Sequence, residues 1–245
     1  MEQPAPTPRL VELLRASGPL LVLTGAGVSR ESGIATFRDA GGLWEGVDPT
    51  EVATPGAFAR DPLRVWRFYD ERRARAAEVQ PNAAHHAIAA LERTGRPFLL
   101  ATQNVDGLHE RAGSASLVRL HGSLWRVRCT REGNEREDLS PSLAPLPPRC
   151  VCGALLRPAV VWFEEPLPAR EFQDAAAFAR RAELVLVVGT SSLVYPAASL
   201  PLIARDAGAY VVEVNPERTP LTPDAHEHLE GPAGTVLPAL LAAAA

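Results

Sequence analysis

The chain reads as an α/β protein built on a doubly wound parallel sheet, with a smaller inserted lobe. Short, nearly continuous apolar runs alternate with helical patterns, as strands covered on both faces by helices require. A glycine-rich turn, Thr24-Gly25-Ala26-Gly27-Val28-Ser29, follows the first such run directly. Two stretches, 39–81 and 126–158, break the rhythm, and the second contains all three cysteines.

The elements follow in order. Residues 9–16 predict a helix, because Leu10, Leu13 and Leu14 share one face. Strands are expected at 20–24, 98–102, 117–120, 184–188 and 210–214. The segment 62–79 predicts a helix with Asp61 as N-cap and proline at the first helical position. Another is expected over 83–94, capped by Asn82 and stopped by Gly95. Later helices are expected over 169–181 and 197–207. This organisation gives a larger, Rossmann-like domain (1–38, 82–125 and 159–245) and a small lobe (39–81 and 126–158), of which 39–81 is mostly loop plus one charged helix and 126–158 is rich in proline, arginine and glutamate. Ligands of such sheets bind beyond the carboxyl ends of the strands, where strand order reverses.

Composition narrows the function classes. The 245 residues are 46% hydrophobic and 22% charged with net charge −4, which suits a globular chain and argues against a nucleic-acid partner held through phosphates. Apolar runs are far shorter than the ~20 residues of a membrane span, and the N-terminus lacks a basic-then-apolar leader. No membrane association and a cytoplasmic location are therefore expected. All 25 basic residues are arginine, which excludes Schiff-base lysines and a P-loop lysine. Three cysteines are wrong for a disulfide framework and fit a reducing compartment.

The glycine turn suits a pyrophosphate, since it brings backbone N–H groups close to the anion. It is not the dehydrogenase fingerprint: the third glycine position is Arg30, and the acidic residues some 20 positions on, Glu45 and Asp48, lie in loop sequence. Thr102-Gln103-Asn104-Val105-Asp106-Gly107-Leu108-His109 sits at a strand's C-terminal end. His121, next to Gly122 after another strand, is a natural general base.

In order and spacing these motifs, with Gly33-Ile-Ala-Thr-Phe37-Arg38, Leu156-Arg-Pro-Ala-Val-Val161-Trp-Phe163, Gly189-Thr190-Ser191-Ser-Leu193-Val-Tyr195-Pro and Glu213-Val-Asn215-Pro-Glu217, resemble the sirtuin family of NAD-dependent protein-lysine deacylases. The resemblance covers nearly the whole chain. It implies that NAD is a consumed co-substrate, with Gly25, Ala26 and Ser29 at the pyrophosphate and Phe37 and Arg38 in the cofactor loop. It places Gln103, Asn104 and Asp106 at the nicotinamide and its ribose, with His121 as base and Asn104 as the second catalytic residue. It puts Gly189, Thr190 and Ser191 near the phosphates and adenosine ribose, and Asn215 and Glu217 near the ribose hydroxyls. The stretches Val161 to Phe163 and Leu193 to Tyr195 correspond to two edges that take an acyl-lysine peptide as an added strand. In the family the acyl oxygen expels nicotinamide, the base draws a proton through the ribose hydroxyls, and water releases lysine and O-acyl-ADP-ribose. The chain departs from the usual pattern at Ala35, where proline is common, and at Glu164-Glu165, where Gly-Glu is common.

Ala53, Tyr69 and Arg72 resemble class III members, which take succinyl- and malonyl-lysine; a phenol and a guanidinium three apart on a helix suit an acyl-end carboxylate. Family members hold structural zinc with two cysteine pairs. Here Glu132 stands where the second cysteine is expected, and Cys150-Val-Cys152 is a shortened pair. Ligands one residue apart are hard to place around a tetrahedron, so metal-free packing is the favoured expectation over zinc on Cys129, Cys150 and Cys152. The competing functions are ADP-ribosyl transfer or NAD hydrolysis at the same site, and a noncatalytic NAD-sensing module, against which His121 and Asn104 argue.

Overall fold

A computed structural model describes residues 5–36 and 47–244. Its strands run β1 (Leu20–Thr24), β2 (Phe98–Thr102), β3 (Leu117–Arg119), β4 (Gly122–Cys129), β5 (Glu135–Glu137), β6 (Leu156–Val160), β7 (Leu184–Val188), β8 (Tyr210–Asn215) and β9 (Glu227–Glu230). The helices are α1 (Pro8–Arg15), α2 (Pro49–Val52), α3 (Pro55–Arg60), α4 (Pro62–Glu78), α5 (Ala83–Glu92), α6 (Leu108–Arg111), α7 (Ala169–Ala179), α8 (Leu200–Asp206) and α9 (Ala233–Ala244).

Six strands form a parallel sheet in the order β3-β2-β1-β7-β8-β9. The central strands β1 and β7 are buried throughout, and β2 and β8 nearly so, which explains their unbroken apolar runs, while the edge strands β3 and β9 are only partly covered. Within β1, Leu20 and Val22 enter a core with Leu10, Ile88 and Leu240 from α1, α5 and α9. Leu21 and Leu23 face the opposite core, with Phe178 from α7 and Leu200 from α8. The chain moves outward from β1 through β2 and β3, then returns to β7 on the other side. The switch point is therefore the crevice between β1 and β7.

The small lobe pairs β5-β4-β6 antiparallel and packs them on α2, α3 and α4. Its core joins Val52, Phe58, Trp66 and Tyr69 from one interruption to Val127, Cys129 and Leu156 from the other. Arg73, buried in α4, ties the two together through bonds to the carbonyls of Leu124 (2.5 Å) and Ser140 (2.6 Å) and an ion pair with Asp138 (3.0 Å).

Several elements differ from the sequence reading. The stretch 39–81 contributes α2 and α3 besides the long helix, each opened by a capping side chain, Asp48 or Thr54, and a proline. The second interruption contributes β5 and parts of β4 and β6, and β4 starts at Gly122 while β6 ends at Val160, past the boundaries at 126 and 158. The segment 197–207 is split into a 3-10 turn over Ala197–Ser199 and then α8. Helix α9 carries Pro238 in its interior, which hid it, and β9 buries only Leu229 fully. Among the described residues no helix is long and apolar enough to cross a membrane.

Candidate active site

Two loops interlock at the switch point. After β1 the backbone enters a 3-10 helix, Ala26–Ser32, through Gly25. The Gly27 N–H donates to the Gly189 carbonyl at 2.8 Å, joining this loop to the one after β7. Contact is so close that a Cβ on Gly189, whose φ is +59°, would lie 2.4 Å from the Val28 nitrogen. Only glycine fits there. Ala26 sits half-buried at the start of the turn, and Ser29 is fully buried.

A polar chain runs beneath the cradle. The Asn104 amide donates to Ser29 Oγ (3.1 Å), which donates to Asp106 Oδ2 (2.8 Å). Asp106 Oδ1 accepts the Leu108 N–H at 2.9 Å. Burial pushes the Asp106 carboxyl upward, opposed by the Leu108 N–H and the Ser29 hydroxyl. His85 Nδ1 accepts the Asn82 N–H, so its proton sits on Nε2, which faces Ser29 Oγ at 3.4 Å. His85 packs against His109 with tilted rings, centroids 4.8 Å apart. His109 Nε2 lies 3.0 Å from Thr24 Oγ1. Burial first, and then the nearby His86, lowers His85 to about 4; burial and His85 lower His109 to about 3. Both are neutral at physiological pH. The sequence reading did not single out His85, although its position three residues after the cap Asn82 signals a capping box.

His121 follows β3. Its Nδ1 lies 3.1 Å from the Gln103 carbonyl, and a carbonyl only accepts, so Nδ1 carries the proton and Nε2 the lone pair. Burial holds its pKa below the ordinary histidine value, against the pull of the Gln103 bond. A half-buried imidazole neutral near pH 7, with its acceptor nitrogen fixed by tautomer, is the form a general base needs. The His121 carbonyl takes the Val161 N–H at 2.9 Å.

Further out, Gln103 Nε2 donates to Thr190 Oγ1 (3.1 Å), and Asn215 Nδ2 donates to the Thr190 carbonyl (2.9 Å). Ser191 and Glu217 are exposed beside them along the chain. Buried Glu213 accepts hydroxyl bonds from Thr219 and Thr222, which ties down the loop that carries Glu217. Thus Gly25, Ala26, Ser29, Gln103, Asn104, Asp106, His121, Gly189, Thr190 and Asn215 gather at the carboxyl ends of neighbouring strands. Phe37 and Arg38 lie outside the described residues.

The small lobe closes the other side. Trp162 Nε1 donates to the Tyr69 hydroxyl at 3.0 Å, and Phe58 packs on the Trp162 ring with centroids 5.3 Å apart. The Arg72 guanidinium lies 5.5 Å from the centre of the Tyr69 ring. Burial raises the Tyr69 phenol while the charge of Arg72 opposes it. Burial lowers Arg72, opposed by Tyr69 and Asp106. The buried Ala53 accepts the Phe163 N–H at 3.0 Å, so Ala53, Tyr69, Arg72 and the 161–163 segment form one wall. Phe163, Leu193, Val194 and Tyr195 are four of the six large apolar side chains that stand exposed among the described residues, and they lie on two segments only. Such concentration marks an interaction surface.

At the far end of the lobe, ligand atoms of Cys129, Glu132, Cys150 and Cys152 all lie within 4.8 Å of one another. Cys129 Sγ is 3.5 Å from Cys152 Sγ, and Cys150 Sγ is 3.9 Å from Glu132 Oε2. Tetrahedral zinc with Zn–S bonds of about 2.3 Å sets its sulfurs roughly 3.8 Å apart. Three thiols and a carboxylate at these separations fit that ion. The geometric objection raised by Cys150-Val-Cys152 is removed, because a turn closed by the Gly153 N–H on the Cys150 carbonyl (2.8 Å) brings both sulfurs to one side.

Comparison with known proteins follows the same lines. A family model described as the Sir2 family matches residues 25–196. An NAD-dependent protein deacylase of Aquifex aeolicus is 50% identical over 219 residues, 89% of this chain and 92% of its own length. Another protein of that name, from Thermus thermophilus, is 55% identical over 210 residues, 84% of this chain and 82% of its own. A solved Sir2 homologue–NAD complex superposes with TM-score 0.93 at 48% identity, covering 98% of this chain and 94% of that one. A Sir2 protein solved with a deacetylated p53 peptide and 3′-O-acetyl-ADP-ribose gives 0.84 at 32% identity, covering 96% of each. With its parallel sheet, its glycine interlock and its anchored histidine, the chain belongs to the Sir2 family.

Proposed function

We propose that this Sir2-family chain removes acyl groups from protein lysines while consuming NAD, with succinyl and malonyl favoured over acetyl. The observation that carries the reading is the station of His121. Its ring is bonded to the carbonyl of Gln103 in the strand-end cradle, and its backbone carbonyl is bonded to Val161 of the small lobe's wall. A base there serves both compartments.

Bound NAD would supply an activated glycosidic bond, at whose sugar carbon the acyl oxygen would displace nicotinamide. Gly25, Ala26, Ser29, Gly189, Thr190 and Ser191 hold the phosphates, and Asn215 and Glu217 the adenosine ribose. Gln103, Asn104 and Asp106 line the nicotinamide ribose; the Ser29–Asp106 bond keeps that pocket in one hydrogen-bonding arrangement. Phe37 and Arg38 belong to the cofactor loop. His121 accepts a proton at Nε2 from the ribose hydroxyls. The acyl-lysine partner lies as a strand between 161–163 and 193–195, its apolar atoms covering Phe163, Leu193 and Tyr195. The acyl tail reaches Ala53, Tyr69 and Arg72, where a guanidinium and a phenol receive a carboxylate. Zinc on Cys129, Glu132, Cys150 and Cys152 cross-links the hairpin turns of the small lobe and takes no part in the chemistry.

The test is to incubate the protein with NAD and one peptide in acetylated and succinylated forms, and to identify products by mass. Nicotinamide and O-acyl-ADP-ribose are expected, faster from the succinyl peptide. Arg72→Met lowers succinyl turnover by about 10- to 100-fold, the size of one charge-assisted hydrogen bond, and spares acetyl turnover. Equal rates, or an unchanged preference in Arg72→Met, overturn the acyl assignment. Free ADP-ribose or an ADP-ribosylated protein as the main product overturns the deacylase reading.

A further inference from the structure

The described residues hold two non-glycine positions with left-handed backbone, Glu164 (φ +71°) and Ser192 (φ +54°). One directly follows Phe163 and the other directly precedes Leu193, so both flank the two exposed apolar segments. Backbone strain of this kind collects at binding sites. At Glu164 its origin is visible. The Glu165 N–H donates to the Trp162 carbonyl at 3.2 Å, closing a four-residue turn with Glu164 in third place, where a positive φ favours glycine or asparagine.

The two adjacent carboxylates have different employment. Glu165 is engaged inward: it pairs with Arg157 at 2.5 and 2.9 Å and accepts the Trp162 N–H at 2.9 Å. Arg157 lies 3.4 Å over the Trp162 ring, so the turn rests on a fixed base. Glu164 is exposed, and among the described residues it joins no ion pair. The turn thus fixes the backbone that carries one exposed negative charge directly beside the exposed Phe163, while the other exposed apolar group, Leu193, Val194 and Tyr195, belongs to the second proposed peptide edge.

We propose that Glu164 is a specificity determinant that selects acyl-lysine peptides carrying an arginine or lysine beside the modified residue. The proposal rests on the reading of 161–163 and 193–195 as the peptide's edges. A charge at a rim acts through encounter and weak pairing, so its effect falls on KM and fades with salt.

The experiment uses the full chain, NAD and a set of otherwise identical acyl-lysine peptides with Arg or Glu at each flanking position. At one position or more, wild type prefers Arg over Glu about two- to fivefold in kcat/KM, the size of a single rim ion pair, and 0.5 M salt flattens the preference. Glu164→Gln removes it. Glu164→Gly removes it too and raises Tm, because the strained backbone is relieved. Equal kcat/KM for the Arg and Glu peptides in wild type, or a preference kept by both variants, overturns the proposal. Phe163→Ala and Tyr195→Ala separate this from the underlying reading. If they raise the peptide KM while the Glu164 variants change nothing, only the charge selection fails. If they too leave it unchanged, the edge assignment fails, and the proposal with it.

Discussion

The His121 ring donates from Nδ1 to the carbonyl of Gln103 at 3.1 Å, and this single bond decides which nitrogen is left to accept a proton. Removing the ring in His121→Ala lowers kcat by about 10²- to 10⁴-fold, the usual weight of a positioned base. Because burial lowers the His121 pKa, the neutral, active form persists below pH 6.5. The acid limb of kcat/KM therefore falls below the ordinary histidine value, as a pH–rate profile with a saturating peptide series will register.

Gly189→Ala tests the interlock. Its Cβ would meet the Val28 nitrogen at 2.4 Å in a left-handed backbone. A loss of at least about 2 kcal/mol is expected from the conformation and the overlap together. Thermal melts give the stability, and titration with NAD will show weaker binding, since the loops after β1 and β7 can no longer touch.

Proton linkage makes His85 and His109 visible. Their folded values, about 4 and about 3, lie below the unfolded value of 6.5. Between these limits the unfolded chain binds protons that the folded chain refuses, so stability is complete above pH 6.5 and declines as pH falls toward 4 and then 3. Each histidine contributes a slope of order 1 kcal/mol per pH unit. From pH 6.5 to 5 most carboxylates stay ionised, so the decline in Tm across that interval comes from the buried histidines, with His121 adding to the pair in the same direction. A His85→Gln variant should show a shallower decline there.

Metal analysis addresses the thiol cluster. Purified protein is expected to carry close to one zinc per chain, and a strong chelator should lower Tm by loosening the small lobe. Cys129→Ser, at the buried sulfur, should cost more metal than Glu132→Ala, because thiolates bind zinc more firmly than one carboxylate.

The parallel sheet was readable because two-sided burial leaves unbroken apolar runs such as Leu184–Val188. Caps were readable as well: Asp61 and Asn82 accept the backbone N–H bonds that their positions announce. In contrast, β4 alternates Val127 and Cys129 inward with Arg126 and Arg128 toward the surface, and its partner β6 contains Pro158, so neither resembles a buried strand. The site's motifs stood in order along the chain, but the bonds between them did not. Tyr69 meets Trp162 across 93 positions, and His85 meets Ser29 across 56. Those pairings come from packing of distant elements, which local periodicity does not encode. The closeness of the three cysteines was hidden for a similar reason: a turn closed at Gly153 brings Cys150 and Cys152 to one side, which spacing alone does not disclose.

One indole links two selections that are normally discussed apart. Trp162 offers its ring nitrogen to Tyr69 at the acyl end, its face to Arg157 and its backbone to Glu165 under the peptide's edge. Under the two proposals made above, tail preference and flanking-sequence preference would be mechanically wired together. Anyone retuning this chain for a bulkier modification by trimming Tyr69 should find that the choice of protein target drifts too, and laboratory evolution for one trait will drag the other along.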